Sequence, residues 1–432
     1  MKLQDGDTRI ADDAFDDFFS IPRPDACKMA LDRLMLAFRQ KKGMVLKIYL
    51  EDFKSFNDMF GYEFGNTLIK DISRFLCGVE NADVYRYAGV EFIAIFEDIT
   101  PADGIEVMKT IARRFDASWT VGGLDCMCLA NIGAVRYPGQ AVSTPDILEH
   151  LAYTVTHSAV AGPNKPVAFN QDLMSKIHRR KTIARMIPKA LESGAIEIRY
   201  RPTHHVASGK FTRADCYLRL LTGEFGPVQA HEFMPIVEET GQINAVSQYA
   251  IRSVCRMIKE LIGEGVAFET IAVPISPIQF LQERFVSDVA AILRETGIPA
   301  SRLGFEVTEG VALSAFASAQ MRMSELAEMG IEMVLTEFGT GYSGVSNILA
   351  MPVDTVKLER MLLWQVDNHP EGAKLVEGLI YVAHKLGVKV IAEGVETVHQ
   401  VQLLEKFGCD YEQGFYYSPT LVPADLKAAL EQ

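Results

Sequence analysis

Val388-Lys389-Val390-Ile391-Ala392-Glu393-Gly394-Val395-Glu396 carries the pattern that decides the fold, a short β-rich run closed by carboxylates. Similar runs recur between helical stretches at Ile196 to Arg201, Ala214 to Leu221, Ile271 to Ile275, Leu303 to Val307, Glu332 to Leu335 and Thr355 to Leu358. A last one lies near Tyr411 to Phe415. Eight such runs in about 240 residues predict a TIM-like (β/α)8 barrel. Charged residues gather where the runs end: Glu306 and Glu309, Glu337, Glu359, Glu393 and Glu396. In a barrel those ends form one rim, and catalytic groups of this fold sit there.

Upstream, helical and extended patterns alternate. Cys27 to Arg39 places Met29, Ala30, Leu34 and Phe38 at helical spacing, Met44 to Leu50 reads as extended, and Asn66 to Cys77 reads as helix. Asp83 to Arg86 and Glu91 to Phe96 form a hairpin around Ala88-Gly89. A helix from Ile105 to Phe115 and a strand from Met127 to Val135 complete an α/β sandwich that ends near Pro163 to Pro166. Between Asp172 and Ser193 a basic segment, with Lys176, His178, Arg179, Arg180, Lys181 and Arg185, reads as an interdomain helix whose charges form a solvated face. The expected division is an acidic, helical N-terminal segment at 1–40, a first domain at 41–168, a linker helix at 169–193 and the barrel at 194–432.

Composition agrees with two folded domains. The chain has 432 residues, more than one hydrophobic core usually serves. With 48% hydrophobic and 23% charged residues there is little room for long disorder. A net charge of −13 excludes broad electrostatic binding to nucleic acid or anionic lipid, so an anionic ligand needs local cations. No apolar run approaches the roughly 20 residues that span a bilayer, and the acidic start is unlike a signal peptide, which predicts a cytoplasmic location. The seven cysteines are scattered and read as buried thiols, with Cys126 and Cys128 on one strand face.

Phe53-Lys54-Ser55-Phe56-Asn57-Asp58-Met59-Phe60-Gly61-Tyr62 and Arg86-Tyr87-Ala88-Gly89-Val90-Glu91-Phe92 resemble the GGDEF family of diguanylate cyclases over roughly residues 40 to 165. The resemblance implies two carboxylates that hold divalent metals on GTP, in keeping with two-metal phosphoryl chemistry. Here those positions are Tyr49 and Val90. Glu91 and Gly89 survive in the hairpin, Asn57 matches a guanine-contacting position, and Asn66 stands where Asp is usual. The inhibitory-site Arg is replaced by Val79. A phenol of pKa about 10 is a poor substitute for a carboxylate, so cyclic-di-GMP synthesis is not expected.

The second half resembles the EAL family of cyclic-di-GMP phosphodiesterases. The motifs are Phe305-Glu306-Val307-Thr308-Glu309, Glu337-Phe338-Gly339-Thr340-Gly341-Tyr342-Ser343, Pro352-Val353-Asp354 leading to Lys357-Leu358-Glu359-Arg360, Ala392-Glu393-Gly394-Val395-Glu396-Thr397, and Gly408-Cys409-Asp410-Tyr411 to Gln413-Gly414. The resemblance implies metal-binding carboxylates at Glu306 and Glu396, a water-activating Glu393, a water- and substrate-contacting Lys357, and supporting groups at Glu309 and Gln413. Four positions depart from it. Asp215 stands for the Glu of the signature, Pro274 for a metal-binding Asn, and Thr336 and Glu337 for paired aspartates. Pro274 has no side-chain donor and Thr336 only a neutral hydroxyl, where hard cations prefer carboxylates. Two metals held about 3.5–4 Å apart are therefore not expected, and Mg²⁺ or Mn²⁺ enters only if phosphodiesterase activity persists.

The resemblance and its departures predict a degenerate GGDEF–EAL regulator of bacterial second-messenger signalling that binds cyclic-di-GMP or a protein partner. Arg201, Arg219 and Gln413 are the ligand-binding candidates. Asp215, Glu306, Glu337 and Glu396 are the remnant metal set, and Glu393, Lys357 and Glu309 the remnant catalytic set. The alternatives are a weak or metal-altered phosphodiesterase and a ligand-free scaffold. A homodimer is expected through the Phe338 to Ser343 loop and Val353 to Arg360.

Overall fold

In the computed structural model the described residues are 15–16, 21–22, 24–37, 42–310, 316–339, 351–369 and 371–432. They fall into two units, divided in sequence between Arg179 and Arg180.

The strand Gly43–Leu50 centres the first unit because its side chains alternate between two cores. Leu46 and Ile48 join Leu68, Ile72, Phe92, Ile111 and Phe115 under the helices Tyr62–Cys77 and Pro101–Phe115. Val45 joins Leu31, Ile93, Val135 and Leu151 under Pro24–Ala37 and Thr144–Ala161. Glu91–Glu97 and Ala130–Tyr137 flank the central strand antiparallel; Ala82–Ala88 and Val167–Ala168 are the edges. This is the expected α/β sandwich, with corrections. Phe53–Phe60 is a further short helix, whose Phe56 and Phe60 rings pack on each other and on Phe64 of the next helix, and Gly61, at φ 86, ends the turn. Thr144–Ala161 is a full helix, capped by the Ser143 side chain on the Asp146 amide. The strand expected from Met127 starts only at Ala130, so Cys126 and Cys128 do not share a strand face. Both are nevertheless buried. Of the acidic N-terminal segment, Asp5, Asp7, Asp12, Asp13 and Asp17 lie outside the described residues, as do Phe38 and Arg39.

The helix Gln171–Ser193 carries the chain across the division. Leu173 and Ile177 belong to the first unit's core, while Ile183, Ile187 and Ala190 belong to the barrel's. Lys176, His178, Lys181 and Arg185 are exposed on it, as a solvated face requires.

Eight strands close the barrel: Ile196–His205, Lys210–Thr222, Thr270–Pro274, Leu303–Thr308, Glu332–Phe338, Thr355–Leu358, Lys389–Glu393 and Tyr411–Gln413. The second to eighth run parallel to one another. The barrel is the TIM-like one expected, but its first strand runs antiparallel to both its neighbours. The cause is its link to the second strand, a tight turn with Gly209 at φ 67, far too short for the crossover that parallel strands need. A ninth strand, Gly226–Gln229, pairs outside on the second. Ile196, Ile198 and Tyr200 pack outward on helices such as Ile243–Gly263, so Glu197, Arg199 and Arg201 alternate inward. At the pole where the parallel strands begin, Arg213 is 4% exposed and bonds Glu332 at 2.6 Å. The Tyr411 hydroxyl donates to Glu269 at 2.7 Å and accepts from Lys389 at 3.0 Å.

Candidate functional site

The opposite pole gathers the signature residues. Asp215 and Tyr217 share the inner face of the second strand, and Arg201 stands directly across from Asp215 on the first. Glu306 lies on the fourth strand, next to Pro274 in register, Lys357 on the sixth, and Gln413 on the eighth. The Lys357 ammonium, 2% exposed, donates to Asp215 Oδ2 at 2.6 Å and also to Glu306. Gln413 Nε2 donates to the same Asp215 oxygen and to Thr203 Oγ1 at 2.7 Å. Asp215 is thus oriented from two sides.

Electrostatics follow from this arrangement. Burial acts to raise the Asp215 carboxyl, but the Lys357 charge and the hydrogen bonds outweigh it and hold the group below its ordinary range. Burial raises Glu306, and the Asp215 and Glu393 charges push it further, so it is the carboxyl that more readily keeps a proton. Burial alone would lower Lys357; Asp215, Glu306 and Glu393 hold it well above its ordinary value.

Not every expected site residue joins this cluster. Glu393 ends the seventh strand within electrostatic reach of Lys357, and Glu309 is buried just past the fourth. Glu396 instead pairs with Arg360 at 2.7 Å on the exposed surface, because Gly394, at φ 85, turns the chain away. Glu337 is exposed and adopts a left-handed backbone at φ 62. Arg219 is committed to Glu197 at 2.6 and 2.8 Å, and Arg199 shares that carboxylate at 3.1 Å. The Arg201 guanidinium lies between the rings of Tyr217 and Phe415, 5.0 and 5.2 Å from their centroids. Its Nε is buried and has no hydrogen-bond partner among the described residues. Thr340, Gly341, Tyr342 and Ser343 lie outside the described residues.

Tyr217 is the residue that sequence reasoning missed. It occupies the third letter of the signature, and its phenol sits among Lys357, Asp215, Glu393 and Glu306, with burial first and these charges second perturbing its proton. Two-residue spacing from Asp215 was the available signal.

The first unit has a smaller counterpart. Tyr49 faces Glu91 on one side and Asn131 on the other, in one row across three strands. Lys47, two residues back on the same face, pairs with Glu91 at 2.9 Å. Val90 packs against the core, and Gly89, at φ 42, makes the hairpin turn. Asn57 is pressed against Gly65, where a Cβ would come within 2.0 Å of its Oδ1, an atom without a hydrogen-bond partner among the described residues; Asn66 is half-buried nearby.

Residues 184–420 match the EAL domain family and residues 25–160 the diguanylate cyclase, GGDEF domain family. The chain belongs to the EAL family and carries a GGDEF domain ahead of the EAL domain. It is 25% identical over 406 residues to the bifunctional diguanylate cyclase/cyclic di-GMP phosphodiesterase MucR of Pseudomonas aeruginosa, covering 92% of this chain and 59% of that protein. It is 24% identical over 406 residues to the cyclic di-GMP phosphodiesterase PdeR of Escherichia coli, covering 93% and 61%. The chain therefore spans only part of the length of these curated relatives. A solved MucR phosphodiesterase in complex with c-di-GMP covers 57% of this chain and 99% of its own at 26% identity and TM-score 0.55. A Vibrio cholerae LapD S helix-GGDEF-EAL structure, bound to c-di-GMP, covers 94% and 96% at 17% identity and TM-score 0.62, a likeness of fold alone. No helix among the described residues is long and apolar enough to cross a membrane.

Proposed function

We propose that the barrel is a cytoplasmic receptor that holds cyclic-di-GMP without cleaving it, and that the first unit is a regulatory or docking domain. The observation that carries this reading is the Lys357 ammonium on both Asp215 and Glu306. A divalent cation would have to draw both carboxylates from that buried ammonium, and breaking a buried pair costs about 3–5 kcal/mol. The remaining donors offer little in return: Pro274 has none, Thr336 is neutral, and Glu396 is held by Arg360. The donor set does not fit a two-metal centre.

An anionic ligand is better served. Arg201 is oriented between two rings with an unused N–H, and a planar guanidinium suits phosphate. The MucR phosphodiesterase complex with c-di-GMP supports the choice of ligand.

Calorimetric titration with cyclic-di-GMP is the test, in EDTA and in Mg²⁺ or Mn²⁺. Binding in both buffers with no linear dinucleotide formed is the expected result. Robust turnover abolished by Glu393→Ala would overturn the reading in favour of a phosphodiesterase, which the retained Glu393 and Lys357 favour. Absence of binding in either buffer would leave a protein-interaction scaffold. The combined change Asp215→Glu, Pro274→Asn, Thr336→Asp and Glu337→Asp is the route to restored hydrolysis. Incubation with GTP and either metal should give no repeated turnover to cyclic-di-GMP. Self-association through the barrel is part of this proposal, and light scattering that finds only monomer would remove it.

A further inference from the structure

Directly beneath the mouth, on the outer face of the eighth strand, Glu412 is 0% exposed. It accepts from the Tyr417 hydroxyl through one oxygen, and the other, Oε1, is buried without a hydrogen-bond partner among the described residues. His204 stands across from it in strand register, its ring stacked on Tyr417 at 4.5 Å and 17°, and its Nδ1 is likewise buried and unpartnered among those residues. A carboxyl so placed favours its neutral form. The same short segment builds the site: Gln413 orients Asp215, Gly414 packs on the Val395 backbone, and Phe415 covers Arg201.

We infer that Glu412, with Tyr417 and His204, is a proton-operated latch on the ligand site. With Glu412 neutral, the Gly414–Ser418 turn stays closed and Phe415 holds Arg201; with Glu412 ionised, the turn loosens and ligand affinity falls. This rests on the receptor reading above for its effect on affinity, but not for the latch itself. Of the other groups facing Glu412 or its partners, Glu405 acts in the same sense. Glu405, on the helix Val398–Phe407, adds a negative charge, and Cys409 lies close enough to feel Glu412. Tyr416 flanks Tyr417, and His205 flanks His204. Burial raises Glu412 to about 7, partly offset by the Tyr417 hydrogen bond and reinforced by Glu405, while burial lowers His204. Titration therefore falls in the range where cells operate.

The full chain, wild type and Glu412→Gln, is titrated with cyclic-di-GMP in EDTA at pH 6 and pH 8. Affinity is expected to be about fivefold weaker at the higher pH for wild type and unchanged for Glu412→Gln. Equal wild-type affinity at both values, or an unaltered pH dependence in the variant, overturns the latch. If neither protein binds the dinucleotide, the receptor reading fails separately and hydrogen exchange decides. Protection of residues 415–418, corrected for intrinsic rate, should then fall from pH 6 to pH 8 in wild type and persist in Glu412→Gln; no difference overturns the latch. Tyr417→Phe, which removes the hydroxyl and keeps the ring, provides a second variant with the opposite expectation: Glu412 still titrates but loses the donor that favours its ionised form, so the fall in affinity from pH 6 to pH 8 should be steeper than in wild type, and a flatter profile overturns the latch.

Discussion

Each unit places a lysine against carboxylate at or beside the positions where its family resemblance implies metal, but at different depths. Lys47 and Glu91 keep 12% and 25% of their side chains exposed, and the pair is single. Lys357 keeps 2% and bridges two carboxylates exposed by 5% and 11%. The same chemistry therefore has different consequences. Water screens the first pair, whereas in the barrel the ammonium is part of the interior and its removal strands two acids.

The largest expected effect follows from that contrast. Lys357→Met should destabilise the protein by about 3–5 kcal/mol in denaturant titration, because it leaves uncompensated buried carboxylates. Lys47→Met should cost about 1 kcal/mol or less. Equal losses would break the comparison. A Lys357→Met effect below the Lys47→Met effect would mean that Glu306 and Asp215 neutralise themselves by sharing a proton.

Next in size is binding. Arg201→Ala should weaken cyclic-di-GMP by about 10- to 100-fold in EDTA, the range of a lost hydrogen bond to a charged group. Arg219→Ala should do less, since Glu197 already occupies that guanidinium. A larger loss at Arg219 would relocate the phosphate.

pH sharpens the comparison further. Lys357 has a folded value above its ordinary 10.5, so its contribution is complete below 10.5 and is lost as pH rises through the folded value. Asp215 has a depressed value, so its contribution is present above 3.8 and is lost as pH falls through the lower folded value. Glu306 opposes this acid limb: its raised value favours the fold below 4.5 and loses that contribution as pH rises. The melting-temperature gap between wild type and Lys357→Met should therefore be widest at intermediate pH and narrow at the alkaline end. A gap that widens there would contradict the charge assignment. The smallest effect is chemical: Cys77 is exposed and the other six thiols are buried, so a thiol reagent should label one site quickly in the native protein and seven after unfolding.

Barrel strands and rim carboxylates were legible in the sequence because four of the eight short apolar runs end in acid, at Glu306, Glu337, Glu359 and Glu393. Strand direction was not, since Ile196 to Arg201 shows the same alternation whichever way it runs, and only the brevity of the turn before Lys210 betrayed the reversal. Glu393 and Glu396 look like partners three residues apart, yet a left-handed glycine separates their surroundings. Tyr217 was not legible as a site residue because a phenol in a strand has no metal-ligand signature and reads as a group that fills space. Phe53–Phe60 was hidden by its length, as eight residues form a helix here only with the aromatic stack that tertiary packing supplies.

Arg213 and Tyr411 close the far pole of the barrel with charge and ring. The vessel is consequently one-ended, and a guest held at the mouth must enter and depart by the same door. Among the described residues the exposed Phe415 ring stands at that door beside Arg201, so residence time should respond to its size while the ionic stopper below leaves dissociation untouched.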